Sequence, residues 1–218
     1  MKKSLLLAGL IVFTVSIFGA DVVLYQDDFS NPKRYAAEWS RTDGSWKYDL
    51  LAKTFRQSIG APHRVGKIYL KKEIPSNIEI SYDFKYLGGK SVNGFGSSII
   101  LQFPGVNMEG ASYQIGIPTF GQKKFSISKV AYVMDNGKLK NKYKTLAVFD
   151  CPVLELGRKY NLKLRVEDNI FTLTVDGEGM FEFEDKDNSI KVNGKMFGFS
   201  TYGAAMDFDN LVIKEIVK

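Results

Sequence analysis

The chain has 218 residues, 44% of them hydrophobic, and a net charge of +6 that falls to +4 without Lys2 and Lys3. A charge this mild, with no basic helix and no RNP-like aromatic run, argues against a nucleic-acid partner. Cys151 is the only cysteine and His63 the only histidine, so no intrachain disulfide can form and a structural zinc lacks ligands.

Residues 1–20, MKKSLLLAGLIVFTVSIFGA, have the pattern of a signal peptide: Lys2 and Lys3, then an apolar run from Leu5 to Phe18, then Gly19-Ala20. The run is shorter than the ~18 to 20 residues a spanning helix needs, and no later run reaches that length. A retained anchor is the alternative. With export and no disulfide, the expected place is the periplasm or surface of a bacterium, or the medium. Residues 21–218 are the length of one all-β domain.

After the leader, Val22 to Tyr25 reads as a strand ending in the acidic turn Asp27-Asp28, and Tyr35 to Trp39 as a single helical turn. Trp46, Tyr48 and Leu50 alternate after Asp43-Gly44, and Phe55 to Ile59 is short and extended. A Pro/Gly-rich loop, 60–66, carries His63 and Arg64. Strands follow over 67–73 and 78–87, the second with Ile80, Tyr82, Phe84 and Tyr86 on one face and Glu79, Ser81, Asp83 and Lys85 on the other. Further strands cover 97–103, 113–117, 125–130 and 143–149. Arg158 to Glu184 is a three-strand meander reversing at Glu167-Asp168-Asn169 and at Asp176-Gly177, two turn signals. Residues 196–200 and 205–217 close the chain. About thirteen strands with frequent turns and no long helix predict an all-β, two-sheet antiparallel jelly-roll sandwich.

The wet faces differ. Strands 78–87 and the meander carry long charged side chains. Strands 97–103, 113–117 and 125–130 carry Ser98, Gln102, Gln114, Gly116, Ser126 and Ser128 opposite Ile99, Leu101, Tyr113, Ile115, Phe125 and Ile127. Small uncharged polar groups leave room above a sheet and suit hydroxyl-rich ligands. Ser98, Gln102, Gln114, Ser126 and Ser128 are therefore predicted to line one open face. Trp39, Tyr132, Tyr143 and Tyr202, near turns or strand ends, could stack on a sugar, and Tyr132 joins the predicted site. Lysine clusters at 67–72 and 138–144 could attract an acidic polysaccharide.

The opening Asp27-Asp28-Phe29-Ser30 with Trp39 and Gly44-Ser45-Trp46, the meander, and the ending Phe208-Asp209-Asn210-Leu211-Val212 resemble the concanavalin A-like lectin/glucanase jelly rolls. They are most similar to laminin-G-like and 3-keto-disaccharide hydrolase-type members. The resemblance implies a curved sandwich whose concave sheet handles carbohydrate in many relatives. It also implies a structural calcium, with Asp209 as the matching ligand and Asp27 and Asp28 nearby.

Chemistry is sparse. Glycosidases of this fold need two carboxyls at the cleaved bond, and no E-x-D-x-x-E run is present. Glu182 and Glu184 sit where solvent is expected, which leaves the loop residue Glu109 as a stray candidate. His63 lacks a G-x-S-x-G partner, and Cys151 reads as a buried bystander. No catalytic residue is assigned. Three readings stay open: an exported carbohydrate-binding domain, which leads; a glycoside hydrolase of the same fold; and a structural or adhesion domain of the cell envelope.

Overall fold

A computed structural model describes residues 21–43, 45–58, 65–89, 95–105, 108–118 and 123–218. The predicted leader, His63 and Arg64 lie outside them. Fifteen strands and one short helix follow one another: β1 (Val22–Asp27), α1 (Pro32–Glu38), β2 (Trp39–Asp43), β3 (Ser45–Asp49), β4 (Thr54–Ser58), β5 (Val65–Glu73), β6 (Ile78–Gly89), β7 (Phe95–Phe103), β8 (Gly110–Pro118), β9 (Lys124–Asp135), β10 (Lys138–Asp150), β11 (Lys159–Glu167), β12 (Ile170–Val175), β13 (Glu178–Glu184), β14 (Met196–Tyr202) and β15 (Ala204–Glu215).

The strands form two antiparallel sheets, as predicted. Sheet A runs β13-β12-β11-β6-β15-β4-β3, with β1 sharing the β4 edge of β15. Sheet B runs β10-β9-β8-β7-β14-β5-β2. The meander is present, and its reversals use left-handed backbone at Asp168, Asn169, Asp176 and Gly177, the conformation that two-residue hairpin turns require. The expected helical turn is a seven-residue helix: Asn31 caps it by accepting the Lys33 N–H, and Pro32 supplies a preset φ at its start.

Each sheet buries one parity of its residues. Ile80, Tyr82 and Phe84 of β6 meet Ile99, Ile115 and Ile127 of sheet B in one core. Trp39 lies in this core, stacked on Phe199 (6.0 Å, 13° between planes) and donating its indole N–H to the Tyr25 hydroxyl. Its expected place as an exposed platform is thereby corrected: a strand start with core parity buries the ring.

One lysine breaks the apolar rule. Lys129 follows Phe125 and Ile127 on the inward parity of β9, and its side chain is only 3% exposed. Its ammonium meets the equally buried Asp185 carboxylate at 2.8 Å and donates to the Asp187 carbonyl. Asp185 also accepts the Tyr113 hydroxyl at 2.5 Å. The segment after β13 is thus tied to sheet B, and Lys144 adds a bond to Asp187 at 2.8 Å.

Breaking a buried pair strands a charge in low dielectric at a cost of about 3–5 kcal/mol. Lys129→Ala and Asp185→Ala should each lose that much in urea unfolding, while the double variant should lose much less than the two losses added together. The Asp187 carboxyl is held down at about 2, chiefly by the Lys144 hydrogen bond. Its contribution to stability is complete above its unfolded value near 4 and fades as pH falls toward 2. An NMR titration should place its midpoint near 2, below the usual carboxylate range, and Lys144→Ala should raise it.

Candidate functional site

The outer face of sheet B carries a trough. Strand registers align two rows across it. One row is Lys67, Ser200, Ser98, Gly116, Ser126 and Val148. The next is Tyr69, Gly198, Ile100, Gln114, Ser128 and Thr145. The rows cross six strands, a span of roughly 24 Å at ordinary strand spacing. Above the first row, and above Gln114, Ser128 and Thr145 of the second, lies a cavity of about 490 Å³, bordered also by Ser97, Tyr143 and Tyr202.

Four of the predicted residues, Ser98, Gln114, Ser126 and Ser128, come together on this floor. Ser98 and Ser126 are buried at the bottom, whereas Gln114 and Ser128 are half-exposed. The Gln114 amide donates to the Ser98 hydroxyl at 2.8 Å, which fixes its direction. Among the described lining residues there is no Asp or Glu.

Two predicted residues do not join them. Gln102 has left-handed backbone (φ 55°) where β7 and β14 slip register. A bulge of this kind ends the two-residue period, and the side chain lies at the end of the sandwich beside Ser76 and Asn77 instead. Tyr132 faces the same side of sheet B as the trough but is buried in a small apolar cluster with Tyr69, Ile100, Phe103 and Val130. Tyr69 stacks on Phe103 at 3.9 Å, Phe103 meets Tyr132 edge-on at 5.2 Å, and the Tyr132 hydroxyl shares a hydrogen bond with Ser112. Burial pushes its phenol up to about 12. This cluster bounds the trough along the strand direction and offers no free ring face at Tyr132.

The sequence reading missed Ser200 and Thr145. Each has an apolar residue on one side only, Phe199 before Ser200 and Leu146 after Thr145, and only the pairing of β14 with β7 and of β10 with β9 brings them to the trough. That pairing is set by tertiary packing.

Asp209 is held by a lysine. Lys159 lies 2.9 Å from the Asp83 carboxylate and 3.1 Å from that of Asp209. The ammonium stands where a cation between these two carboxylates would, and among the described residues no group of three or more His, Cys, Asp or Glu side chains converges as metal ligands do. Asp27 is occupied by the Tyr25 hydroxyl and the Phe29 N–H. These residues do not fit the calcium site that the resemblance implied.

Most lysines of the two basic clusters have local partners. Lys71 and Lys72 donate to the Ala37 and Leu24 carbonyls, Lys140 pairs with Asp135, and Lys144 with Asp187. Cys151 is half-buried, and burial pushes its thiol up to about 11, which suppresses the reactive thiolate. Glu109 accepts the Met134 N–H at 2.6 Å. Among the described residues no helix is long and apolar enough to cross a membrane.

No protein-family model matches the chain, and no curated protein matches it. Solved structures do. The carbohydrate-binding module CBM66 from Bacillus subtilis superposes with a TM-score of 0.60 at 16% identity, covering 82% of this chain and 96% of that one. A Bacillus subtilis protein of unknown function with a galectin-like fold gives 0.69 at 10% identity, covering 90% and 97%. The exoplasmic/lumenal domain of VIP36, in its form bound to Ca2+ and Man3GlcNAc, gives 0.57 at 16% identity, covering 84% and 85%. At such identities the likeness speaks to architecture, and that architecture is a two-sheet antiparallel jelly roll.

Proposed function

We propose that the protein is an exported, non-catalytic carbohydrate-binding domain that seats a neutral glycan in the trough of sheet B. The observation that carries this reading is the floor itself: serines, a glycine and one oriented glutamine amide, over a length of several sugar rings, with Lys67 at one end as the single charged side chain among the described lining residues. Hydroxyl-rich ligands exchange water bonds for bonds to such groups, and small side chains leave the space for them. Tyr143 and Tyr202 at its margins add aromatic surface. CBM66 is a carbohydrate-binding module by name, and the VIP36 domain holds a mannose-containing glycan, which supports a sugar as the ligand.

The absence of carboxylates among the described lining residues favours binding over hydrolysis, since the usual glycosidase pair straddles the cleaved bond. Glu109, the stray candidate, spends its carboxylate on the backbone of β9. A bacterial envelope or extracellular location follows from the leader pattern of residues 1–20. Calcium has no part in this reading, although the VIP36 domain binds it, because Lys159 already bridges the carboxylates a metal would need.

A glycan array with the chain lacking residues 1–20 should find a neutral ligand, and calorimetry should then measure the trough. Gln114→Ala should weaken binding by ~1 kcal/mol, the scale of one ordinary hydrogen bond. Ser126→Phe, which fills the floor, should abolish measurable binding while leaving the melting temperature within a few degrees. Full affinity in Ser126→Phe would place the ligand elsewhere, and release of reducing ends from the bound glycan would make the protein an enzyme.

A further inference from the structure

The end of the sandwich where β5 turns into β6 holds a second cavity, of about 310 Å³, separate from the trough. It opens between the sheets. Ile78, Leu101, Val166 and Tyr113 form its inner wall. The rim is polar: Ser76 and Asn77 from the β5–β6 turn, Asp168 and Asn169 from the β11–β12 turn, and Gln102 from the bulge of β7. Over Gln102 and Ser76 it continues into a wider groove of about 540 Å³ beside Asn193, Gly194 and Lys195.

Three features set this place apart from an ordinary loop surface. The first is that Ser76, Gln102 and Asn169 converge there from three separate elements, and none of their side chains has a hydrogen-bond partner among the described residues. The polar side chains next to them are engaged: Asn77 accepts the Asp168 N–H at 3.1 Å, and Lys218 pairs with the Asp168 carboxylate. The second is that Tyr113 is locked. Its hydroxyl donates to Asp185, its ring meets Phe171 edge-on at 4.8 Å, and the Lys129 ammonium lies 5.6 Å from the ring centre. A ring fixed in this way needs no further ordering when a ligand arrives. The third is that Gln102 has left-handed backbone (φ 55°) near the end of β7, a conformation that non-glycine residues rarely adopt. The bulge carries its amide out of the alternating pattern and onto the rim of the cavity.

We propose that this cavity is a second binding site for one unit of a neutral, hydroxylated ligand, a sugar ring, with Gln102, Asn169 and Ser76 as its hydrogen-bonding groups. The volume is at the small end of ligand pockets, which sets the scale at a single ring. Charge selects against other small ligands. The Asp168–Lys218 pair leaves the rim without net charge, so it favours neither an anion nor a cation. The site shares no residue with the trough, so the protein would hold carbohydrate at two places, and two weak contacts to one polymer add through effective concentration. The ligand class rests on the reading of the trough, but the site stands on its own residues.

The test is a ¹⁵N NMR titration of the chain lacking residues 1–20 with methyl glucoside, methyl mannoside and methyl galactoside at millimolar concentrations. The expected result is a set of saturating shifts at the side-chain amides of Gln102 and Asn169, together with a separate set at Gln114. Gln102→Gly keeps the left-handed backbone and removes only the side chain. Asn169→Gly leaves an Asp-Gly turn, which suits its positive φ equally well. Each should weaken the first set about fivefold, as loss of one hydrogen bond does, with the Gln114 set unchanged as the control for folding. Shifts at Gln114 alone would overturn the second site and leave the trough standing. Shifts at Gln102 and Asn169 alone would do the reverse. Shifts at the sandwich end that keep full strength in both glycine variants would also overturn the assignment.

Discussion

Burial of a single aromatic layer between two sheets is the constraint on which the rest of this molecule depends. Trp39, Phe55, Tyr82, Phe197, Phe199 and Phe208 contact one another in a continuous chain of rings. Each ring commits its strand to one parity, because a slip of one residue would turn the whole strand inside out. Once the inner parity is fixed, the outer parity is free, and the two sheets use it differently. Sheet A covers itself with ion pairs: Arg56 with Asp207, Lys159 with Asp83 and Asp209, and Lys163, Arg165 and Lys214 around Glu79. Sheet B leaves serines and glycines over its middle strands. Among the described residues the second surface carries the larger space, about 490 Å³ against about 170 Å³ beside Asp83 and Lys159 on sheet A.

Alternation made most of this legible from the sequence. The meander, the face of β6 and the polar row of Ser98, Gln114, Ser126 and Ser128 all follow from a period of two. What escaped was whatever interrupts that period or depends on a distant partner. Gln102 sits in a bulge, and a bulge shifts parity without any change of residue type that marks it. Tyr132 has outward parity, which would ordinarily expose it, but Tyr69 and Phe103 come from other strands to cover it. Lys129 stands at a core position of β9 and is intelligible only through Asp185, which approaches from beyond β13. Asp209 resembles a calcium ligand in its local run, yet Lys159 reaches it from β11. In each case local pattern set the backbone, and a contact far along the chain set the side chain's role.

The trough is built to stay as it is. Its floor sits on paired strands near the middle of sheet B, its glutamine is oriented by a serine, and its end wall is the packed Tyr69–Phe103–Tyr132 cluster. Side chains as short as serine have few rotamers to lose, so little conformational entropy stands between the free and the occupied surface. Weak individual hydrogen bonds can then sum without a large ordering cost.

The long outer strand β10 carries a consequence for self-association. It is an edge of sheet B, thirteen residues long, and an edge of that length presents a row of unpaired backbone groups to any extended chain. Lys138, Lys140, Lys142 and Lys144 occupy alternate positions on it, in register with Asp135, Val133, Ala131 and Lys129 of β9. They therefore lie on the sheet A side of β10, where their side chains stay exposed. A foreign strand added to β10 would have to pack one of its faces against this row of lysines. The sheet stops at β10 because its last strand is written to be the last.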